Sequence, residues 1–319
     1  MSSKSLSRLL DRKKSRKPSR PLSAVLRWHD PDMLLDAANV PAAALAFGMR
    51  KLKKSYTGNA LKIRRASDPS VEADVGFASN NKVTAASPIT ITSGTYDGPL
   101  ILGEFMSGVY GYITTWYDQS GNSRTLTQAT ADNQPMLVYG GSFLGVPTFD
   151  GSNDYMDSNY EHESSSDDFT WCAVCKADAA DQADGLMTDL RTFNQGCEVA
   201  TASSNWNFKV EQHDLNTSKS VSTSDQIILV SYDPSGSDNQ LLRKDGAGED
   251  RDEDENILAS QRSKFSIGCR RSPVDYSYAL NSPWAGTISE VITWESKLTA
   301  AQMTAVEENL AAYHNIILA

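Results

Sequence analysis

The chain contains the stretch Ile113-Thr114-Thr115-Trp116-Tyr117-Asp118-Gln119-Ser120-Gly121-Asn122, in which a β-branched and aromatic run passes directly into a cluster of turn residues. β-Branched and aromatic residues favour strands, whereas Asp, Ser, Gly and Asn favour tight turns. The same alternation recurs along the chain and gives candidate strands at 60–65, 112–117, 135–139, 146–149, 169–176, 206–211, 226–232, 264–268 and 286–294. Many short strands separated by turn clusters predict an all-β sandwich.

Two helices are predicted beside this β-rich region. The first covers 41–54, where Pro41 suits a first turn and apolar residues recur at helical spacing: Leu45, Met49 and Leu52. The second follows Thr299, which forms a capping-box pattern with Gln302. Its apolar stripe consists of Met303, Val306, Leu310 and Tyr313. We expect this C-terminal helix to pack on the sandwich.

Charge divides the chain into a basic arm and an acidic body. The net charge is −10, from 30 Lys and Arg against 40 Asp and Glu. Residues 1–20 hold one acid and eight bases, namely Lys4, Arg8, Arg12, Lys13, Lys14, Arg16, Lys17 and Arg20. We therefore predict a flexible arm over 1–28, which anchors the protein to a partner through these bases, and a jelly-roll domain over 29–319. The alternative is a solvated tail.

The composition excludes several classes of protein. No window contains the roughly 18 consecutive apolar residues that a membrane-spanning helix needs, so membrane insertion is not expected. The basic N-terminus is not followed by the apolar segment of a secretory signal. Four cysteines are too few for a disulfide scaffold. Nucleic acid is an unlikely partner for an acidic body, except through the arm.

Three stretches carry a resemblance to a known family. They are Ala44-Leu45-Ala46-Phe47-Gly48-Met49-Arg50-Lys51-Leu52, Ile113 to Asn122 as quoted above, and Phe149-Asp150-Gly151-Ser152-Asn153-Asp154-Tyr155. Together they resemble the concanavalin A-like (laminin G-type) jelly roll of B-type α-L-arabinofuranosidases, a module also found in tailed-phage virion proteins. The closing strand 286–294 and the capped helix are similar to the end of that superfamily. The resemblance covers roughly 33–317 and implies a concanavalin A-like β-sandwich.

The turns at 117–122 and at Asp150-Gly151 have a structural interpretation. Asp118 and Ser120 can bond nearby backbone amides beside Gln119, and Gly121 permits a positive φ. Asp150 and Gly151 form a second turn of this kind. We interpret these residues as structural rather than catalytic.

The resemblance also implies catalytic positions, and the chain departs from them. A glutamate nucleophile is implied mid-chain, where Glu198 stands in Gly196-Cys197-Glu198-Val199-Ala200. At the place of the family's acid, an aspartate after two glycines, the chain has Gly268-Cys269-Arg270. Arginine does not release its proton near neutral pH. The adjacent cysteine pair that contacts the sugar is also missing, and Asp184-Gly185-Leu186 stands in that region. These departures argue against hydrolysis, with Glu198 as the one candidate catalytic residue.

Other polar features receive structural interpretations. Cys172 and Cys175 lie three apart in a predicted strand and would face opposite ways, so we expect buried free thiols and no metal site. The run 249–255 is acidic and predicts a solvated hairpin tip; a weak calcium site at Asp250, Asp252 and Asp254 is the alternative, and no other cofactor is expected. Glu290 is expected on the same strand face as apolar residues. Its carboxylate therefore needs a buried cationic partner, such as Arg64 or Arg65. A ligand-binding role for Glu290 is the alternative.

A glycan site is expected where aromatic residues flank loops. Tyr276, Tyr278 and Trp284 surround a polar loop before the closing strand, and Trp206 lies on another strand. We predict these four residues as ligand-binding, with burial of Trp206 and Trp284 in the core as the alternative.

The leading functional hypothesis from sequence is a non-enzymatic structural protein of a tailed-phage virion, associated with its tail or capsid. It would be made in the host cytoplasm, reside in the virion, form homo-oligomers and contact other virion proteins, with a host-surface polysaccharide as candidate ligand. Two alternatives remain open: a glycoside hydrolase of the α-L-arabinofuranosidase type, and an assembly scaffold that binds no sugar.

Overall fold

The computed structural model describes residues 33–161, 168–181, 183–189, 196–210, 213–235, 240–252, 264–270 and 282–319. The predicted arm and the boundary at 28/29 lie outside these residues. The described strands are β1 (Leu45–Gly48), β2 (Leu61–Arg65), β3 (Glu72–Val75), β4 (Ile89–Ser93), β5 (Gly111–Trp116), β6 (Leu126–Thr127), β7 (Met136–Tyr139), β8 (Ser142–Asp150), β9 (Met156–Glu161), β10 (Phe169–Ala177), β11 (Gly185–Thr188), β12 (Cys197–Ala202), β13 (Asn205–Val210), β14 (His213–Ser220), β15 (Gln226–Tyr232), β16 (Gln240–Lys244), β17 (Ala247–Asp252), β18 (Lys264–Ile267) and β19 (Ala285–Trp294).

The helical elements are short except at the C-terminus. Two 3-10 turns cover Leu34–Asp36 and Ala131–Asn133, and a one-turn helix covers Leu102–Phe105. The C-terminal helix covers Ala300–His314. Among the described residues, none of the helices combines the length and the apolar character needed to cross a membrane.

Two antiparallel layers form a β-sandwich, as predicted. The back layer has the order β1-β19-β10-β15-β16-β17. The front layer has the order β4-β3-β2-β5-β6-β9-β18-β11-β12-β13-β14. Strands β7 and β8 connect them through pairings with β5 and β19. Each predicted strand from 60–65 to 286–294 has a counterpart in the structure.

Aromatic rings fill the space between the layers. Trp171 of the back layer lies 5.1 Å from Phe265 of the front layer between ring centroids, and Phe169 lies 6.2 Å from Phe208. A second apolar cluster separates the back layer from the C-terminal helix. Because successive residues of β10 face opposite ways, Cys175 belongs to the first cluster and Cys172 to the second. Both are buried free thiols.

The segment predicted as a helix over 41–54 contains a strand instead. Leu45–Gly48 is buried along its whole length and pairs with β19, Leu45 opposite Thr293 and Gly48 opposite Glu290. The helical spacing of Leu45, Met49 and Leu52 was misleading because apolar residues here serve a strand covered on both faces. The backbone N–H and C=O groups of this segment form hydrogen bonds with the edge of β19. In a helix the same groups would have bonded within the segment.

Gln119 fastens the chain that follows β1. Its Oε1 accepts a hydrogen bond from Leu52 N at 2.8 Å, and its Nε2 donates to Gly48 O at 3.1 Å and Arg50 O at 3.0 Å. The side chain is fully buried. One side-chain amide therefore provides hydrogen-bond partners for three backbone groups that lie at the end of β1 or beyond it.

Asp118 organises the same turn. Its Oδ1 accepts hydrogen bonds from Ala46 N and Ser120 N, both at 2.9 Å, and its Oδ2 accepts one from Ser120 Oγ at 2.7 Å. Gly121 has φ +102°, which a β-branched residue would adopt only with strain. In the second turn, Asp150 Oδ1 accepts from Ser152 N at 2.8 Å and Gly151 has φ +72°.

Replacing Gln119 with Ala should destabilise the protein by about 3 kcal/mol, because it leaves buried backbone groups without partners. Urea denaturation would measure the loss, with Ser93→Ala at an exposed position as the control. A change in Gln119→Ala as small as that of the control would show that water replaces these bonds.

The C-terminal helix is held by its cap and by buried ion pairs. Thr299 Oγ1 accepts from Gln302 N at 3.3 Å, and Gln302 Oε1 accepts from Thr299 N at 2.8 Å, so the predicted capping box is formed. Arg243 of β16 contacts Glu307 of the helix at 2.8 Å. Residues Met303, Val306 and Leu310 are buried, as their spacing predicted.

Glu290 belongs to this helix-docking layer. Arg50 Nε donates to Glu290 Oε1 at 2.7 Å, and His314 Nε2 lies 2.8 Å from the same oxygen. The partner is thus a buried arginine, but it is Arg50 rather than Arg64 or Arg65, because the turn after β1 brings Arg50 there. Burial opposes ionisation, yet Arg50 and His314 outweigh it and hold the pKa of Glu290 below its ordinary value of 4.5.

The depressed pKa of Glu290 predicts acid sensitivity. Its contribution to stability should be complete above about pH 4.5 and should be lost as the pH falls through the lower folded-state pKa. At neutral pH, Glu290→Gln should cost about 3 kcal/mol, because it leaves Arg50 buried and uncompensated. Denaturation across a pH series would test this. Equal costs at neutral and acid pH would contradict the assignment, and exposed Glu308→Gln serves as the control.

The described part of the acidic run, 249–252, lies in a strand rather than at a hairpin tip. Asp250 and Asp252 lie within β17, which pairs with β16, and Asp254 lies outside the described residues. The strand begins directly after the turn at Asp245 and Gly246, so the tip lies earlier than predicted. In the described part of the chain, no three His, Cys, Asp or Glu side chains are grouped to hold a metal ion.

Candidate functional site

A continuous row of polar residues crosses the outer face of the front layer. Residues paired directly across antiparallel strands share one face of a sheet. Following those pairs from β14 to β4 gives Asp214, Lys209, Glu198, Thr188, Ser266, Asp157, Thr127, Thr115, Lys62, Asp74 and Thr90. Their strand neighbours, such as Val199, Phe208 and Ile267, belong to the core between the layers. We call this set the polar row.

Glu198 is the most deeply placed charge in the polar row. The residue is only 1% exposed. Arg270 Nε lies 2.6 Å from Glu198 Oε1, and the arginine side chain remains 35% exposed. The buried carboxylate of Glu198 thus contacts an arginine whose own side chain is partly exposed to solvent.

Glycines bring Arg270 to this position. A Cβ atom on Gly185 would lie 2.5 Å from the backbone N of Arg270, so only glycine allows β11 to approach that segment. Gly268 has φ +83°, and its N donates to Leu186 O at 3.0 Å. The backbone around 268–270 is therefore fixed beside β11, and the side chain of Arg270 reaches across to β12.

The electrostatics of Glu198 differ from those of Glu290. Burial raises the pKa of Glu198 above its ordinary value of 4.5; Arg270 and Lys209 oppose this increase, and Asp214 adds to it. The acid form is therefore favoured more than in water. The raised pKa is the direction expected of a carboxyl group that acts as a general acid.

Two further aspartates lie near the site but face other partners. Asp189 is buried just after β11, and its Oδ1 accepts a hydrogen bond from Cys197 N at 2.6 Å. Asp184, at the start of β11, accepts from Ala285 N at 3.2 Å. Burial raises the pKa of Asp184, and the bond from Ala285 opposes that increase.

The predicted aromatic binding residues do not form a surface. Trp206 and Trp284 are fully buried and stack on each other, with ring centroids 5.8 Å apart and an interplanar angle of 27°. Trp206 Nε1 donates to Gln226 Oε1 at 3.1 Å. These rings belong to the core between the layers, so their prediction as ligand-binding residues is wrong for this structure. Tyr276 and Tyr278 lie outside the described residues.

Sequence reasoning missed the polar row. Some of its strands alternate polar and apolar residues, as β13 does with Lys209 beside Phe208, whereas others, such as β11, do not. The signal does not say which strands are neighbours. Only the register of the sheet brings Glu198 beside Thr188 and Lys209.

The fold is similar to that of known glycoside hydrolases. Three solved structures of α-L-arabinofuranosidases align over 85% of this chain and 63% of theirs. They are a GH54 mutant soaked with 4-nitrophenyl α-L-arabinofuranoside (TM-score 0.59, 13% identity), a GH54 enzyme soaked with a cyclic sulfate inhibitor (0.57, 14%), and an arabinofuranosidase complexed with arabinofuranosyl-α-1,2-xylobiose (0.56, 14%). The chain thus spans less than two thirds of their length. No family model and no curated protein matches the sequence.

These comparisons support the concanavalin A-like sandwich and correct the functional prediction. The leading hypothesis of a non-enzymatic phage virion protein is wrong, because the structures that share the fold over most of the chain are glycoside hydrolases. The prediction that the chain is not an enzyme is wrong for the same reason. At 13–14% identity the likeness itself establishes only the fold.

The two buried glutamates should respond oppositely to amidation. Because the folded-state pKa of Glu198 is raised, its charge weakens the fold increasingly as the pH rises from about 4.5 through that pKa. Glu198→Gln should therefore raise the free energy of unfolding at neutral pH, whereas Glu290→Gln should lower it. Parallel urea titrations would compare them. A destabilised Glu198→Gln protein would make the Arg270 contact a structural ion pair.

Proposed function

We propose that the chain is a glycoside hydrolase that acts on α-L-arabinofuranosides, with Glu198 as its proton donor. The observation that carries this proposal is a buried carboxyl group with a raised pKa in the middle of a polar sheet face, contacted by the partly exposed Arg270. The substrate class is taken from the arabinofuranosidases that share the fold.

We assign the reaction to inversion of the anomeric centre, because the residues paired directly with Glu198 on this face carry no carboxyl group. Retaining enzymes place two carboxyls about 5–5.5 Å apart, and inverting enzymes about 6.5–9.5 Å. One strand spacing from Glu198, its directly paired neighbours are Thr188 and Lys209. Asp214 lies two strand spacings away on the same face, about 10 Å between Cα atoms.

The proposed reaction uses the two carboxyls in opposite roles. Glu198 donates its proton to the glycosidic oxygen as the bond to the anomeric carbon breaks. Asp214, which is exposed, accepts a proton from the water that attacks that carbon from the opposite face. The products are a free arabinose and the shortened glycan, and the two carboxyls exchange protons with solvent afterwards.

Arg270 is a positioning residue in this scheme. The sequence resemblance implies an aspartate at this position, and an arginine there does not act as an acid. Its charge limits the increase in the pKa of Glu198. Arg270→Ala should therefore move the alkaline limb of the pH profile of kcat/KM to higher pH, and Arg270→Lys should largely restore it.

Substrates with different leaving groups test the role of Glu198. The wild type should hydrolyse both 4-nitrophenyl α-L-arabinofuranoside and arabinofuranosyl-α-1,2-xylobiose. Glu198→Gln should lose about 10²–10⁴-fold on the second substrate, whose leaving alkoxide needs a proton, and much less on the nitrophenyl substrate. Asp214→Asn should lose activity on both. Exposed Glu308→Gln is the matched control.

Two results would contradict the proposal. Absence of turnover of either substrate by the wild type would exclude this activity. Retention of anomeric configuration, measured by NMR of the first product formed, would exclude Asp214 as the base.

A further inference from the structure

One face of the β7–β8 hairpin carries exposed aromatic and aliphatic side chains. Tyr139 is 59% exposed, Tyr110 40% and Leu144 39%. The rings of Tyr110 and Tyr139 meet edge to face, with centroids 5.1 Å apart and an interplanar angle of 83°. Ser142 pairs directly with Tyr139, and Leu144 lies two residues further along β8, so it shares the face of Tyr139. Three large side chains thus lie together on the surface.

The outward direction of these side chains follows from the register of the hairpin. Val138 and Phe143 form the neighbouring cross-strand pair and pack in the core, so the residues beside them point away from it. Gly141 N donates a hydrogen bond to Val109 O at 2.8 Å, which holds the turn of the hairpin beside the tyrosines. The two rings are therefore held in position before any partner binds, and the entropic cost of ordering them on binding is small.

Two half-buried side chains extend this surface along β5 and β7. Tyr112 lies two residues after Tyr110 on the same strand face, and Met136 pairs directly with Tyr112. Tyrosine and methionine are enriched at protein interfaces, and a contiguous exposed apolar surface marks an interaction site more often than it occurs by chance. We call this set the tyrosine patch, and it consists of Tyr110, Tyr112, Met136, Tyr139 and Leu144.

The tyrosine patch is uncharged, although the protein is strongly acidic. The two segments that supply it, 105–117 and 133–149, contain no Asp, Glu, Lys or Arg, whereas residues 21–319 hold 39 acids and 22 bases. Two copies of such a chain repel each other through their acidic surfaces, and this repulsion is least at an uncharged patch. A basic partner would instead be attracted to the acidic residues outside the patch. The charge distribution therefore favours a second copy of this chain as the partner.

We infer that the tyrosine patch is the contact surface between two copies of this chain, which pack face to face about a two-fold axis. In this arrangement the same residues meet from both sides, so an apolar patch is its own complement. The patch is smaller than the interface of about 20–30 residues a side in a stable complex, so we expect a dimer that dissociates on dilution. None of its residues belongs to the polar row, and the inference is therefore independent of the proposed hydrolysis.

Sedimentation velocity of the full chain, across a dilution series in the micromolar range, tests this inference. The protein should change from monomer to dimer as its concentration rises. Tyr139→Ser should raise the dissociation constant more than about tenfold, because each dimer loses two central aromatic side chains. Added salt should favour the dimer, because it screens the repulsion between two acidic proteins. Tyr139 is largely exposed, so urea denaturation of the monomer should be unchanged and would separate a lost contact from a lost fold.

Leu144→Asp is the second patch variant, and it should abolish the dimer because each copy brings a like charge into the contact. Ile317→Ser, at an 89% exposed position outside the patch, is the matched control and should leave the dissociation constant unchanged. A monomer at every concentration would overturn the inference and leave the patch for a different partner. A dimer that survives both patch variants would also overturn it. So would a dimer that salt dissociates, because charged groups would then hold the copies together.

Discussion

Side chains in a β-strand alternate between the two faces of the sheet, and this constraint decides what every part of the front layer can do. Val199 and Phe208 point into the core, so Glu198 and Lys209 must point away from it. A slip of one residue in β12 would turn the carboxylate of Glu198 into the core between the layers and turn Val199 to the outer face. The core and the polar row are therefore two consequences of one register, and the stability of the first fixes the geometry of the second.

The two buried glutamates show how similar ion pairs can serve different purposes. Glu290 has a partner whose side chain is only 5% exposed, and the pair lies between the back layer and the C-terminal helix. Several groups compensate for its burial, so its charge is favoured and it holds elements together. Glu198 is paired with Arg270, which is 35% exposed, and burial prevails over the opposing effects of Arg270 and Lys209. An incompletely compensated charge weakens a fold, and such groups are typical of sites that react.

The motif that carries the family resemblance turns out to organise the fold. Asp118 and Gln119 bind the backbone of the segment from Ala46 to Leu52 and keep it beside the closing strand. These bonds join distant segments through one short turn, and the fold is shared with arabinofuranosidase structures at 13–14% identity. The turn at Asp118 depends on hydrogen bonds made by a few residues, so it tolerates substitutions in other parts of the chain. The polar row depends on which residues the register brings together, and Arg270 contacts Glu198 there.

Local information in the sequence was sufficient for the strands, the turns at Asp118 and Asp150, and the capped C-terminal helix. Each depends on residues within a few positions of one another, through alternation, turn chemistry or capping. Tertiary structure decided the rest. The edge of β19 made a strand of Leu45–Gly48, whose spacing indicated a helix, and the core enclosed Trp206, whose position suggested a binding surface. The polar row and the choice of Arg50 for Glu290 also required the fold, because neighbours across a sheet come from distant parts of the chain and the period of a strand does not specify its partner.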